Sequence, residues 1–88
     1  MAETPGTVGV RAALEVLARA LADRPNEVQV VESQHKSTTL VEIFVAQSDL
    51  GKLIGKQGRT AAALRTLASS AGEREGKTVT VEIREGKP

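Results

Sequence analysis

Apolar residues recur at Val10, Leu14, Leu17 and Leu21, at spacings of four, three and four, among Ala12, Ala13, Ala18, Ala20 and Ala22. That spacing predicts one amphipathic helix ending before Pro25. Pro25-Asn26 is turn chemistry. Val28, Val30 and Glu32, set against Gln29, Val31 and Ser33, predict a short β-branched strand of imperfect alternation. The polar run from Ser33 to Thr38 reads as a hairpin loop into a second strand, where Val41, Ile43 and Val45 alternate with Glu42 and Phe44. Ser48 or Asp49 is placed to cap a short helix through Ile54, which Gly55 stops. After Gly58, the positions of Ala61, Leu64, Leu67, Ala68 and Ala71 predict a longer helix ending near Gly72. Gly76-Lys77 then turns the chain into a last strand, in which Val79, Val81 and Ile83 alternate with Thr78, Thr80 and Glu82.

The predicted order is α-β-β-α-α-β. Each element has one apolar face, so an α+β fold with a three-stranded sheet covered on one face by three helices buries all of them. Residues 1–7, with Pro5, Gly6 and no periodicity, are expected to form a flexible tail. Residues 8–85 then make one domain and 86–88 a C-terminal tail.

With 88 residues the core is thin, since domains of this size bury only about 60% of the unfolded chain's surface. There is no cysteine, so neither disulfides nor thiolate metal sites can brace it. No apolar stretch approaches the roughly 20 residues of a membrane span, and the first residues lack a basic-then-apolar signal pattern. A cytoplasmic location is the expectation.

Phe44 is the only aromatic residue. Folds that stack bases on exposed rings need two or more, which excludes RRM-type sheets and many OB-folds. As the one large ring available, Phe44 is expected to fill the core. The net charge of +1 hides a concentration of positive charge. Between Leu50 and Gly72 stand Lys52, Lys56, Arg59 and Arg65 and no acid, which points to a local anion site.

The centre of that segment is Gly55-Lys56-Gln57-Gly58, a four-residue connection between two predicted helices. Glycine at each end permits positive φ and removes side chains that would hold a ligand away. The second helix presents the positive end of its dipole, and Lys56 adds charge inside the loop. Arg59, in the first turn, opposes that dipole at a cost of about 0.3–1 kcal/mol, and a bound phosphate would reverse the sign. Together these features describe a cradle for a sugar-phosphate backbone.

Ile54-Gly55-Lys56-Gln57-Gly58 between two helices resembles the signature of KH domains, whose GxxG loop clamps nucleic-acid backbone. The element order resembles the prokaryotic, type II arrangement. The Pro25-Asn26-Glu27-Val28 turn and the run Asp49 to Arg59 resemble the small bacterial single-KH family called KhpA or YlqC, over roughly Val10 to Arg84. That resemblance implies a cytoplasmic protein binding single-stranded RNA as an RNA chaperone or post-transcriptional regulator. It also implies a second KH-containing protein of the KhpB (Jag, EloR) type as partner, and a homodimer. Gly55, Lys56, Gln57 and Gly58 would contact phosphates, with Lys52, Arg59 and Arg65 in electrostatic support. Bases would lie in an aliphatic groove, for which Leu50, Leu53, Ile54 and residues of Leu40 to Ala46 are candidates. Core packing explains each of those equally well.

Catalysis and cofactors find no support in the chain. His35, the one histidine, sits in a predicted hairpin loop with no second ligand for a metal. No nucleophile is paired with a base. The stretch Gly51 to Gln57 lacks the glycine spacing and the Ser or Thr of a phosphate-binding P-loop. The competing reading is a KH fold used to dock a partner protein or ribosomal particle, which an exposed aliphatic patch on the first helix or outer sheet would favour.

Overall fold

Helix α1 (Val10–Leu21) buries Val10, Leu14 and Ala18, an i, i+4, i+8 stripe. The stripe is rotated from the predicted one: Ala18 takes the central place, Leu17 is half-buried and Leu21 is exposed. The flank next to the stripe carries Glu15 between Arg11 and Arg19, each paired with it at 2.8 Å. After a single 3-10 turn at Pro25–Glu27 come strands β1 (Gln29–His35) and β2 (Thr38–Val45). These data come from a computed structural model, which describes residues 9–88; the tail expected over residues 1–7 lies outside the described residues.

The hairpin is tighter than the polar run suggested. Ser33, Gln34 and His35 pair with Leu40, Thr39 and Thr38, leaving only Lys36 and Ser37 to turn, with Lys36 at φ 58°. Exposed strand positions tolerate polar residues, because the backbone ladder and not side-chain burial holds them there.

Helix α2 (Leu50–Ile54) and helix α3 (Arg59–Arg74) follow, and strand β3 (Thr78–Glu85) closes the chain. β2 is the central strand, antiparallel to β1 and parallel to β3. All three helices lie against the face that carries Val30, Val41, Ile43, Val45 and Val81, and Leu53, Leu64 and Ala68 complete the core. The α+β architecture in the order α-β-β-α-α-β is the one the periodicity predicts. No helix among the described residues is long and apolar enough to cross a membrane.

Three details differ from expectation. Phe44 is buried but does not enter the core. Ile43 and Val45 face the helices, so Phe44 points to the opposite, outer side of the sheet, in register with Gln29 and Arg84. An ion pair between Arg84 and Glu42 at 2.8 Å spans that same outer face. Second, α3, expected to end near Gly72, runs two residues further, to Arg74. Gly72 is there because β3 comes close: a Cβ would lie 2.6 Å from Val79 Cγ2 and 3.0 Å from the Lys77 carbonyl. Third, Leu67 is 53% exposed, and Ala68 is the residue that faces the core.

Asp49 does not cap α2 either. Its backbone is helical and its side chain makes no capping bond. The carboxylate is fully buried and instead accepts the amides of Asp23 and Arg24, each at 3.0 Å, tying the end of α1 to the start of α2. The Asp23 amide, then that of Arg24, with the charges of Lys52 and Arg24, holds the carboxyl below its usual range against the opposing pull of burial. A carboxyl depressed in the folded state stabilises above its unfolded pKa, about 4, and that stability is lost as pH falls through the folded value. Asp49→Asn, whose amide would face an N–H with another N–H, should therefore melt lower than the native chain at pH 7. Melting curves between pH 7 and pH 3 should show that gap narrowing on the acid side.

Candidate nucleic-acid interface

The loop between α2 and α3 is built by backbone conformation. The last bond of α2 runs from the Gly55 amide to the Gly51 carbonyl at 2.8 Å. Gly55 then takes φ 79°, ψ 171°, a region nearly closed to other residues. Lys56–Gly58 form one 3-10 turn, closed by the Gly58 amide on the Gly55 carbonyl at 3.0 Å. Gln57 sits at φ 56°, ψ 27°, and Gly58 at φ 73°, ψ 14°, both left-handed.

The two glycines are needed for different reasons. A Cβ at Gly55 would lie 2.7 Å from Thr60 Cβ and 2.8 Å from Thr60 N, and closer still to Thr60 Oγ1. The first glycine therefore lets α3 pack against the end of α2. At Gly58 a Cβ would meet nothing within 4 Å. The second glycine satisfies the turn and leaves the space outside it open.

The loop gathers Ile54, Lys56, Gln57 and Arg59, all exposed, beside Gly55 and Gly58. Arg59 reaches back to give Nη2–H to Gln57 Oε1 at 3.0 Å, so its guanidinium lies along the loop. The Lys56 side chain has no ion pair or hydrogen bond among the described residues. Lys52 stands one turn before the loop but is engaged, its Nζ 3.1 Å from Asp23 Oδ2. Arg65 is not part of the cluster. It lies six residues, about 9 Å, along α3 from Arg59, and donates to the Val81 carbonyl of β3 at 3.4 Å.

The aliphatic candidates separate cleanly. Leu53 is fully buried in the core, Leu50 is half-buried against it, and Ile54, beside Gly55, is 39% exposed. Val41, Ile43 and Val45 are core residues of the central strand. β2 therefore has no free edge to form a groove wall. The strand that lies at the sheet's edge and packs against both α2 and α3 is β3. Sequence reasoning missed this, together with Thr60 and Asp23, and gave Asp49 the role of a helix cap. The hairpin supplied one signal: with β1 on one edge of β2, a third strand paired with β2 must take the other.

A family model for the KhpA/KhpB KH domain matches residues 11–83. The chain belongs to the KhpA/KhpB KH-domain family. RNA-binding protein KhpA of Clostridium acetobutylicum is 49% identical over 70 residues, covering 80% of this chain and 93% of that protein. RNA-binding protein KhpA of Chlamydia caviae is 45% identical over 74 residues, 84% of this chain and 95% of its own length. The KhpA-type fold also resembles part of a larger protein. Era, in complex with MgGDPNP and nucleotides 1506–1542 of 16S ribosomal RNA, aligns with TM-score 0.60 at 19% identity. That match covers 86% of this chain and 29% of Era, and it concerns the fold alone. The order α-β-β-α-α-β with its mixed sheet is the type II KH arrangement.

Proposed function

We propose that this chain binds single-stranded RNA without catalysis, gripping the sugar-phosphate backbone with Gly55-Lys56-Gln57-Gly58, and acts in the bacterial cytoplasm as an RNA chaperone or post-transcriptional regulator. The observation that carries the reading is the loop itself: two glycines and Gln57 at positive φ, open space outside Gly58, and Lys56, whose side chain makes no ion pair among the described residues, three residues before the 16-residue helix α3 begins. Backbone can approach phosphate closely there, and the helix dipole and Lys56 favour the anion. The names of the KhpA relatives support the choice of RNA. Lys56, Gln57 and Arg59 make the direct contacts, Ile54 offers an apolar surface to a base, and Lys52 contributes at the periphery. Arg65 acts through the wider field. Titration of a short single-stranded RNA with the native chain and Lys56→Asp/Gln57→Asp tests the assignment, and equal binding by both would sink it.

One observation also favours a protein partner. Leu67, 53% exposed, and the half-buried Leu17, Ala13 and Ala71 line an apolar furrow between α1 and α3, and Val16 nearby on α1 is 66% exposed. In this reading the furrow joins two KH modules, either two copies of this chain or one copy and a KhpB-type protein, and pairing raises an RNA affinity that is weak for one module. Sedimentation at rising concentration should show self-association by the native chain and a monomer for Leu67→Asp, which leaves the core intact. A native chain that stays monomeric at all concentrations removes the homodimer and leaves the second protein.

A further inference from the structure

The segment from Leu50 to Gly72 contains no acid, yet the fold brings one to it. Asp23, in the turn after α1, places Oδ2 3.1 Å from Lys52 Nζ. Lys52 is three residues before Gly55, about 5 Å along the helix axis from the loop. This contact differs from a chance surface pair in how its acid is held. The amides of Asp23 and of Arg24 are both fixed at 3.0 Å by the fully buried Asp49 carboxylate. The Asp23 side chain itself takes no part in that latch and is 71% exposed. Its backbone is thus pinned from beneath while its carboxylate stays in solvent, beside the basic residue that precedes the loop.

We propose that Asp23 is a built-in competitor for the nucleic-acid phosphate that Lys52 would otherwise hold, and that it sets the affinity and salt dependence of binding at the loop. The inference rests on the loop reading given above. Carboxylate and phosphate are both oxyanions, and a lysine ammonium is a point charge that accepts either. While Lys52 is paired, an arriving phosphate must displace the carboxylate, and the released carboxylate then faces the negative strand. An exposed pair of this kind is weak, so displacement is feasible but lowers the net gain. The effect is local, because charges in solvent are screened over about 8 Å at physiological salt.

The test is titration of one short single-stranded RNA, across salt concentrations, with the native chain, Asp23→Asn, Lys52→Gln and the combination of the two. Glu73→Gln, which makes the same charge change at the far end of α3, is the control. Asp23→Asn should tighten binding about threefold near 0.1 M salt and steepen the slope of log affinity against log salt by about 0.7, the value for one further phosphate on a single strand. Lys52→Gln should cost more affinity in the Asp23→Asn background than in the native one, and Glu73→Gln should give less than half the gain. Asp23→Ser, with the same backbone held by Asp49, should repeat the result, and melting curves confirm folding. An unchanged affinity in both Asp23 variants overturns the proposal. So does a gain that survives loss of Lys52, or one matched by Glu73→Gln. Lys56→Asp/Gln57→Asp in the same series separates the two ideas. If it fails to weaken binding, the loop reading falls and this inference with it; if it weakens binding while Asp23→Asn changes nothing, only the inference falls.

Discussion

Gly55→Ala should be among the most damaging substitutions in the chain, although it adds one methyl group beside an exposed loop. At φ 79°, ψ 171° an L-residue is held in a region essentially reserved for glycine, which costs about 1–3 kcal/mol. The added Cβ would also run into Thr60, whose backbone nitrogen would be 2.8 Å away. Backbone cannot swing aside as a flexible side chain can, so α3 must shift against α2. A loss of about 3 kcal/mol or more follows, or a fall in Tm of roughly 10–25 °C for a domain this small. Gly58→Ala supplies the contrast. Its φ of 73° is left-handed, but ψ is 14° and the space outside is empty, so only the conformational term of about 1–2 kcal/mol applies. Gly58→Asn should cost less again, since asparagine tolerates that region. Thermal melts of the three variants rank them, and equal losses at positions 55 and 58 would show that the Thr60 contact does not matter.

That contrast also shows what can be read from residue order. Periodicity placed all six elements, because an amphipathic helix and a half-buried strand write their burial locally, at intervals of 3.6 and 2. The loop was legible for the same reason: two glycines, a lysine and flanking bases lie within a few residues. Rotation about a helix was less legible: the periodicity put both Leu67 and Ala68 on the buried face, and of these two, only 100° apart, Ala68 alone is buried. Phe44 also misled, size suggesting the core where alternation put it on the outer face. The partners of Lys52 and Arg65 could not be read at all. Asp23 meets Lys52, and the Val81 carbonyl meets Arg65, through contacts made only by the topology. Asp49 looked like a helix cap because its position was right, whereas its amides belong to residues 26 and 25 positions away in sequence.

Lys56→Asp/Gln57→Asp should reduce affinity for short single-stranded RNA by at least about tenfold while leaving the melting temperature nearly unchanged. Both side chains are exposed, and neither contributes to the core. Aspartate is among the residues that adopt left-handed backbone most readily, so the φ of 56° at Gln57 gives no reason for the loop to unfold. What changes is charge. One cation that makes no ion pair among the described residues is lost, and two anions are placed where phosphate would sit. The new carboxylate at position 57, one methylene shorter than the Gln57 side chain that now accepts from Arg59 at 3.0 Å, would moreover place a negative charge beside that guanidinium and offset a second cation of the loop. The slope of log affinity against log salt should then fall by about 0.7 for each phosphate contact removed, giving a shallower line with two contacts gone than with one. Lys56→Gln should therefore lie between native and double variant in both affinity and slope. A double variant that loses affinity with an unchanged salt slope would point away from phosphate and toward a loss of loop shape, which the accompanying Tm would report.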